Sequence, residues 1–289
     1  MKFVTYIYEG NSSVGILNAD ENAVIPVAEL GLKAQSMNEL IDELNGTLPE
    51  IPNGAKAISL DAVKLDAAIP EPRQDVVCLG LNYRDHVEEA TRADKVFDVQ
   101  RGDAVYFAKR VNRAVAPDGV IDGHFDICDS LDYEVELGVV IGKDAKNVKA
   151  ADAADYIFGY TIINDVSARN LQTRHKQWYF GKSLDDFTPI GPCILTPEEL
   201  GADPQLDIRC YVNGELRQNS NTRMMIFDIP YIIEELSAGM TLKAGTVIAT
   251  GTPSGVALGM EPSVRTYLKS GDVVRCEIEK IGVLENTIG

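Results

Sequence analysis

Beyond residue 70 the chain is a succession of short apolar or alternating segments punctuated by turn residues, with little of helical spacing between them. Strands are predicted at 76–79, 105–108, 133–141, 157–163, 191–195, 207–212, 247–250 and 273–278. The helices between them are short, at 83–90, 167–176, 197–200 and 229–237, and Asn213-Gly214, Ser270-Gly271 and Lys280-Ile281-Gly282 supply turns. Many strands with no strand–helix–strand rhythm exclude a doubly wound parallel sheet and predict an α+β, predominantly β, catalytic domain.

The first seventy residues read as a separate small unit. Met1 to Tyr8 alternates and passes through Asn11-Ser12-Ser13 into Val14 to Leu17, which predicts a hairpin. Residues 36–45 carry Met37, Leu40, Ile41 and Leu44 on one helical face, with Ser36 and Glu39 placed as a capping box. Pro70 and Pro72 mark the expected boundary, giving a small N-terminal α/β domain over 1–70 and the catalytic domain over 71–289.

The chain carries 44 acidic and 27 basic side chains, a formal charge of −17. Nucleic acid and anionic membrane are thereby disfavoured as partners, whereas a site that gathers carboxylates around a divalent cation is favoured. No apolar run approaches the roughly 20 residues that span a bilayer. Acidic Glu9 interrupts what a signal peptide would continue, so a cytoplasmic protein is expected. Five cysteines without a CxxC pair fit reduced thiols rather than a disulfide framework or a zinc cage.

Five constellations could carry chemistry. In Asp132-Tyr133-Glu134-Val135-Glu136 a strand places Glu134 and Glu136 on one face, where a hard divalent ion relieves their repulsion; a solvent-facing strand edge is the alternative, and the commoner one for E-x-E alone. Asp165 ends an apolar strand and could be a third ligand or the N-cap of the following helix. His86 and Glu89 lie one helical turn apart, as a water-activating dyad requires, though a charged surface helix has the same spacing. The segment Thr250-Gly251-Thr252-Pro253-Ser254-Gly255 offers backbone N–H groups and a hydroxyl to a carboxylate, or is an ordinary turn. Lys182, between Phe180 and Leu184, is either partly desolvated beside developing negative charge or a solvated loop lysine.

In this order the strings CLGLNYRDHVEEA, LDYEVELGVVIGKDAKNV, IFGYTIINDVSARNLQ, QWYFGKSLDDFTPIGP, YVNGELRQNSNTRMMIF and IATGTPSGVALG resemble the fumarylacetoacetate hydrolase superfamily over roughly residues 70–289. TRHKQWYFGKSLD and the last twenty-odd residues look most like bacterial members that decarboxylate oxaloacetate. The resemblance implies a mixed β-roll catalytic domain, a homodimer, and Mg²⁺ or Mn²⁺ held by Glu134, Glu136 and Asp165. It implies that Lys182 stands beside the metal, that His86 with Glu89 activates water in hydrolytic members, and that Arg169, Gln172, Gly251 and Thr252 contact substrate.

The activity so implied is C–C bond cleavage of a small 2-oxo acid through a metal-stabilised enolate, foremost decarboxylation of oxaloacetate to pyruvate. Acylpyruvate or fumarylpyruvate hydrolysis and keto–enol tautomerisation of the same acids use the same electron sink. The chain departs from its relatives at Phe107-Ala108-Lys109-Arg110-Val111-Asn112-Arg113, where they commonly carry proline and a hydroxyl residue after the lysine. A non-catalytic metal-binding β module is the remaining alternative; a structural calcium site has no need of a base, a lysine and an acid-gripping loop together.

Overall fold

A computed structural model describes residues 1–86 and 102–289. Its strands are β1 Lys2–Tyr8, β2 Asn11–Leu17, β3 Ala23–Pro26, β4 Ile58–Ser59, β5 Lys64–Leu65 and β6 Val76–Gly80. They continue with β7 Val105–Lys109, β8 Val120–Ile121, β9 Leu131–Asp132, β10 Val135–Ile141, β11 Ile157–Asn164 and β12 Ser167–Ala168. The last six are β13 Ile190–Leu195, β14 Asp207–Val212, β15 Glu215–Asn221, β16 Val247–Ala249, β17 Val273–Ile278 and β18 Gly282–Ile288. Among the described residues the helices are α1 Met37–Leu44, α2 Arg169–Arg174, α3 Tyr179–Lys182 and α4 Ile229–Gly239; the expected helix 83–90 runs beyond the described residues. The fold is α+β and predominantly β, as expected.

The main sheet runs β4-β3-β2-β1-β13-β11-β10-β16-β6-β7, with β5 also on β1; β15-β14-β17-β18-β8 form a second sheet and β12-β9 a two-stranded ribbon. Strands β10 and β11 are buried along their whole length, which is why they read as nearly unbroken apolar runs rather than as alternation. One core joins Val135, Leu137, Val139 and Ile162 of these strands to Ile208, Val274, Ile278 and Leu284 of the second sheet. On the opposite face Val140, Phe158 and Ile163 pack with Phe3, Ile16 and the apolar stripe of α1. Sheet pairing crosses residue 70, because β1 lies against β13 with Phe3 opposite Ile194.

Local expectations hold where the chemistry is local. The Ser36 side chain accepts from the Glu39 N–H, and Asn213-Gly214 closes the β14–β15 hairpin with both residues at positive φ. The first hairpin turns at Glu9-Gly10, one step earlier than expected, because both take positive φ and leave Asn11 to Ser13 free to pair with β1. The predicted strand from Tyr133 begins at Val135, and the predicted helix 167–176 shrinks to α2: Ser167 and Ala168 pair instead with Asp132 and Leu131. Strands β15 and β18 escaped the sequence reading; β18 includes polar Glu285, Asn286 and Thr287.

Candidate active site

The site forms where β10 begins and β11 ends. Val135 sits opposite Asn164 in the antiparallel ladder, so Glu134 and Asp165 emerge side by side from neighbouring strands. Two bonds lock this end: the Asp165 N–H donates to the Glu134 carbonyl at 2.8 Å, and the Glu134 N–H donates to Asn164 Oδ1 at 3.1 Å. Alternation along the strand puts Glu136 on the same face as Glu134. Carboxylate oxygens of Glu134, Glu136 and Asp165 all come within 4.8 Å of one another, and all three residues are buried. The solvated-edge reading of E-x-E is therefore wrong here. So is the cap reading of Asp165: α2 begins after Ala168 without a side-chain cap, and the Asp165 carboxylate turns inward to two lysines.

Lys182, the last residue of α3, is 2% exposed, and its Nζ lies 2.8 Å from both Glu134 Oε2 and Asp165 Oδ2. Burial opposes its charge, but Asp165 and Glu134 outweigh burial and hold the ammonium above its usual range. Lys109, at the end of β7, is fully buried and donates to Asp165 Oδ1 at 2.5 Å and to the Val166 carbonyl at 3.0 Å. For this lysine burial wins, aided by repulsion from Lys182, and its pKa is lowered.

Arg169, one residue past β12, is clamped by acids: Nε donates to Asp132 Oδ2 at 2.8 Å, Nη2 lies 2.6 Å from Glu134 Oε1, and Nη1 donates to Gln172 Oε1 at 3.0 Å. Burial acts to raise Glu134, yet Lys182, Arg169 and the nearby His86 overcome it and hold its carboxyl at about 2. Among the described residues no cation forms an ion pair with Glu136, and Lys182 acts on it only as a lesser influence. Glu136 accepts the Gly251 N–H at 2.8 Å, and burial with the charges of Asp165 and Glu134 pushes its carboxyl well above the usual range.

The charges explain this asymmetry. Among the described residues, four buried acids, Asp132, Glu134, Glu136 and Asp165, face three buried cations, Lys109, Lys182 and Arg169, and Glu136 is the acid left without an ion-pair partner. Three hard oxygen donors suit a divalent magnesium or manganese ion. Ligands about 2.1 Å from a magnesium centre stand at most about 4.2 Å apart, so the 4.8 Å cluster needs only slight closure to fit one.

The loop after β16 is built into the same end. Gly251 has φ +99°, and a Cβ there would stand 2.8 Å from the Asn82 Cβ, so this position requires glycine. Asn82 Nδ2 donates to the Thr250 and Phe227 carbonyls at 2.7 and 3.0 Å. Thr252 Oγ1 donates to the Val135 carbonyl at 2.9 Å and accepts from Gln218 Nε2 at 2.8 Å. Gly251 and Thr252, expected to grip substrate, thus brace Glu136 and the start of β10. Arg169 likewise braces Glu134, and Gln172 Oε1 in turn accepts from Arg169. His86 is half-buried and close enough for its charge to act on Glu134, whereas Glu89 lies outside the described residues, and with it the dyad.

Lys109, Asp132, Asn82 and Gln218 were absent from the sequence-derived site. Lys109 stood inside the string quoted for its departure from the relatives, at a strand end, and that was its only signal. The departure itself is now explicable. Arg110 carries an N–H that proline lacks, and Ser183 Oγ accepts it at 3.0 Å. The Arg110 guanidinium, 57% exposed, pairs outward with Asp75 at 2.9 Å and leaves the site's charge unchanged.

Comparison with known proteins agrees with this geometry. Residues 75–289 match the family described as Fumarylacetoacetate (FAA) hydrolase C-terminal. The oxaloacetate tautomerase YisK of Bacillus subtilis is 45% identical over 237 residues, covering 82% of this chain and 76% of the relative. The mitochondrial oxaloacetate tautomerase fahd2 of Xenopus laevis is 36% identical, covering 91% and 86%. A solved fumarylacetoacetate hydrolase from Exiguobacterium antarcticum superposes with a TM-score of 0.86 at 36% identity, over 100% of this chain and 99% of that one. A 5-carboxymethyl-2-hydroxymuconate delta-isomerase from Mycobacterium smegmatis superposes at 0.77 with 30% identity, over 100% and 99%. The chain belongs to the fumarylacetoacetate hydrolase family, whose members act on small oxo acids.

Proposed function

We propose that this protein is a divalent-metal-dependent tautomerase of a short 2-oxo dicarboxylic acid of the oxaloacetate type. The observation that carries the reading is the buried triad Glu134, Glu136 and Asp165 with Lys182 bonded across two of its members. Two relatives named as oxaloacetate tautomerases, at 45% and 36% identity, support tautomerisation over the other outcomes of the same chemistry. Magnesium or manganese held by the three carboxylates would act as a Lewis acid on the keto oxygen.

The remaining work falls to side chains. Keto–enol exchange moves one proton from carbon and delivers one to oxygen, so atoms balance without water being consumed. Lys182, held cationic by Asp165 and Glu134, stabilises negative charge as it develops on the substrate oxygen. In this reading His86, half-buried near Glu134, carries the proton. Arg169 and the Gly251 N–H hold Glu134 and Glu136 at fixed orientations.

The test is a panel of oxaloacetate, acetylpyruvate and fumarylpyruvate, followed with Mg²⁺ or Mn²⁺ and after chelation. Loss of the oxaloacetate enol band without carbon dioxide release is expected. Carbon dioxide release would establish the decarboxylation read from the sequence instead, and cleavage of the acylpyruvates would establish hydrolysis. No metal-dependent change in any of them would refute the enzyme reading.

A further inference from the structure

We infer that Trp178, seated edge-on against Phe107 and flush on Gly80, is the wall that limits how long an oxo acid the site accepts. The inference rests on the reading above and adds what selects the substrate. The Lys182 ammonium lies between its two carboxylates and the face of Phe107, whose ring centre is 5.2 Å from Nζ. Phe107 in turn meets Trp178 edge to face, with centroids 5.2 Å apart and planes at 69°. The indole rests directly on the backbone of Gly80: a Cβ there would stand 2.3 Å from one ring carbon and 2.7 Å from another. Lysine, Phe107, Trp178 and Gly80 therefore form one contiguous surface leading outward from the triad.

Burial gives that surface a direction. The triad, Lys109, Lys182 and Arg169 are all buried, whereas Gly80, Phe107 and Trp178 are half-buried, so among the described residues the aromatic pair marks a partly exposed edge of the cluster. The wall is also tied to the site's backbone, since Asn82, two residues past Gly80, holds the Thr250 carbonyl beside the Gly251 N–H that binds Glu136. A substrate whose oxo-acid end lies at Lys182 extends its far end toward an aromatic wall one ring away. The ring carbons that meet Gly80 and the Phe107 ring offer a distal group no hydrogen bond, so discrimination against them is steric, by length.

The experiment compares kcat/KM for oxaloacetate, acetylpyruvate and longer linear acylpyruvates in wild type, Trp178→Ala and Trp178→Phe, each checked for folding by thermal melting. An added methylene in an apolar pocket changes kcat/KM by roughly 10- to 200-fold, so Trp178→Ala should raise the long-to-short ratio by at least about 10-fold. Trp178→Phe, whose smaller ring no longer covers Gly80, should raise the ratio by less than Trp178→Ala. If Trp178→Ala does not fold, Gly80→Ala, which pushes the ring off its seat, should shift the ratio the same way.

Trp178 is the chain's single tryptophan, so its emission is a second readout: in wild type, acetylpyruvate added with Mg²⁺ should quench or shift it. A ratio unchanged in the folded variant, or emission indifferent to acetylpyruvate, overturns the inference while oxaloacetate turnover stands. A wild type inactive on every acid overturns the functional reading and the inference with it.

Discussion

Lys109→Met isolates the part of the site the sequence did not disclose. The substitution keeps the buried stem roughly in place and removes the ammonium that bonds Asp165 Oδ1 and the Val166 carbonyl. Breaking a buried ion pair by deleting one partner costs about 3–5 kcal/mol. Lys182 still faces Asp165 through Oδ2, so the lower end, about 3 kcal/mol, is expected without metal. At about 2–4 °C per kcal/mol for a chain of this size, the melting transition should fall by roughly 6–12 °C.

A dication restores the missing positive charge beside the same carboxylate. The stabilisation on adding Mg²⁺ should therefore be larger in Lys109→Met than in wild type. The assay is paired calorimetric melts of both proteins, with chelator and with Mg²⁺. An equal loss in the two conditions would mean that Lys109 acts by packing alone and would refute the charge argument.

Glu136→Gln removes a carboxyl that a metal ion would bind in its ionised form, so it should abolish Mg²⁺ binding by titration calorimetry while leaving metal-free stability unchanged or raised. The pH dependence has the same origin. Metal-free native protein keeps a proton on Glu136 that the unfolded chain has released above its ordinary value of 4.5. Stability from this group is thus full below that pH and declines as pH rises toward the elevated native value, and Glu136→Gln should remove that decline from urea titrations. Gly251→Ala places a Cβ against Asn82 at φ +99° and displaces the N–H from Glu136. It should lower stability by about 1–3 kcal/mol and weaken Mg²⁺ binding together. Ser183→Ala leaves the Arg110 N–H to water and should cost at most about 1 kcal/mol, with the oxo-acid turnover unchanged.

Much of this protein was legible from short stretches of sequence. The strands β10, β11, β14 and β17, the α1 stripe with its Ser36 cap and the Asn213-Gly214 turn depend on neighbours a few residues apart, and their patterns stand in the sequence. The three acids could be named by motif. Their alternatives, a wet strand edge and a helix cap, were separated only by the β10–β11 register that sets Val135 opposite Asn164.

Tertiary structure alone decided the electrostatics. Lys109, Asp132, Glu136, Arg169 and Lys182 come from separate strands and helices, and the charge each feels depends on distances that no spacing in the sequence encodes. It also showed that Gly251, Thr252 and Gln172, expected as substrate contacts, hold the acid cluster: the Gly251 N–H donates to Glu136, Thr252 Oγ1 to the Val135 carbonyl, and Gln172 Oε1 accepts from Arg169. Periodicity is a property of adjacent residues; charge balance and hydrogen-bond partners are properties of residues brought together from across the chain.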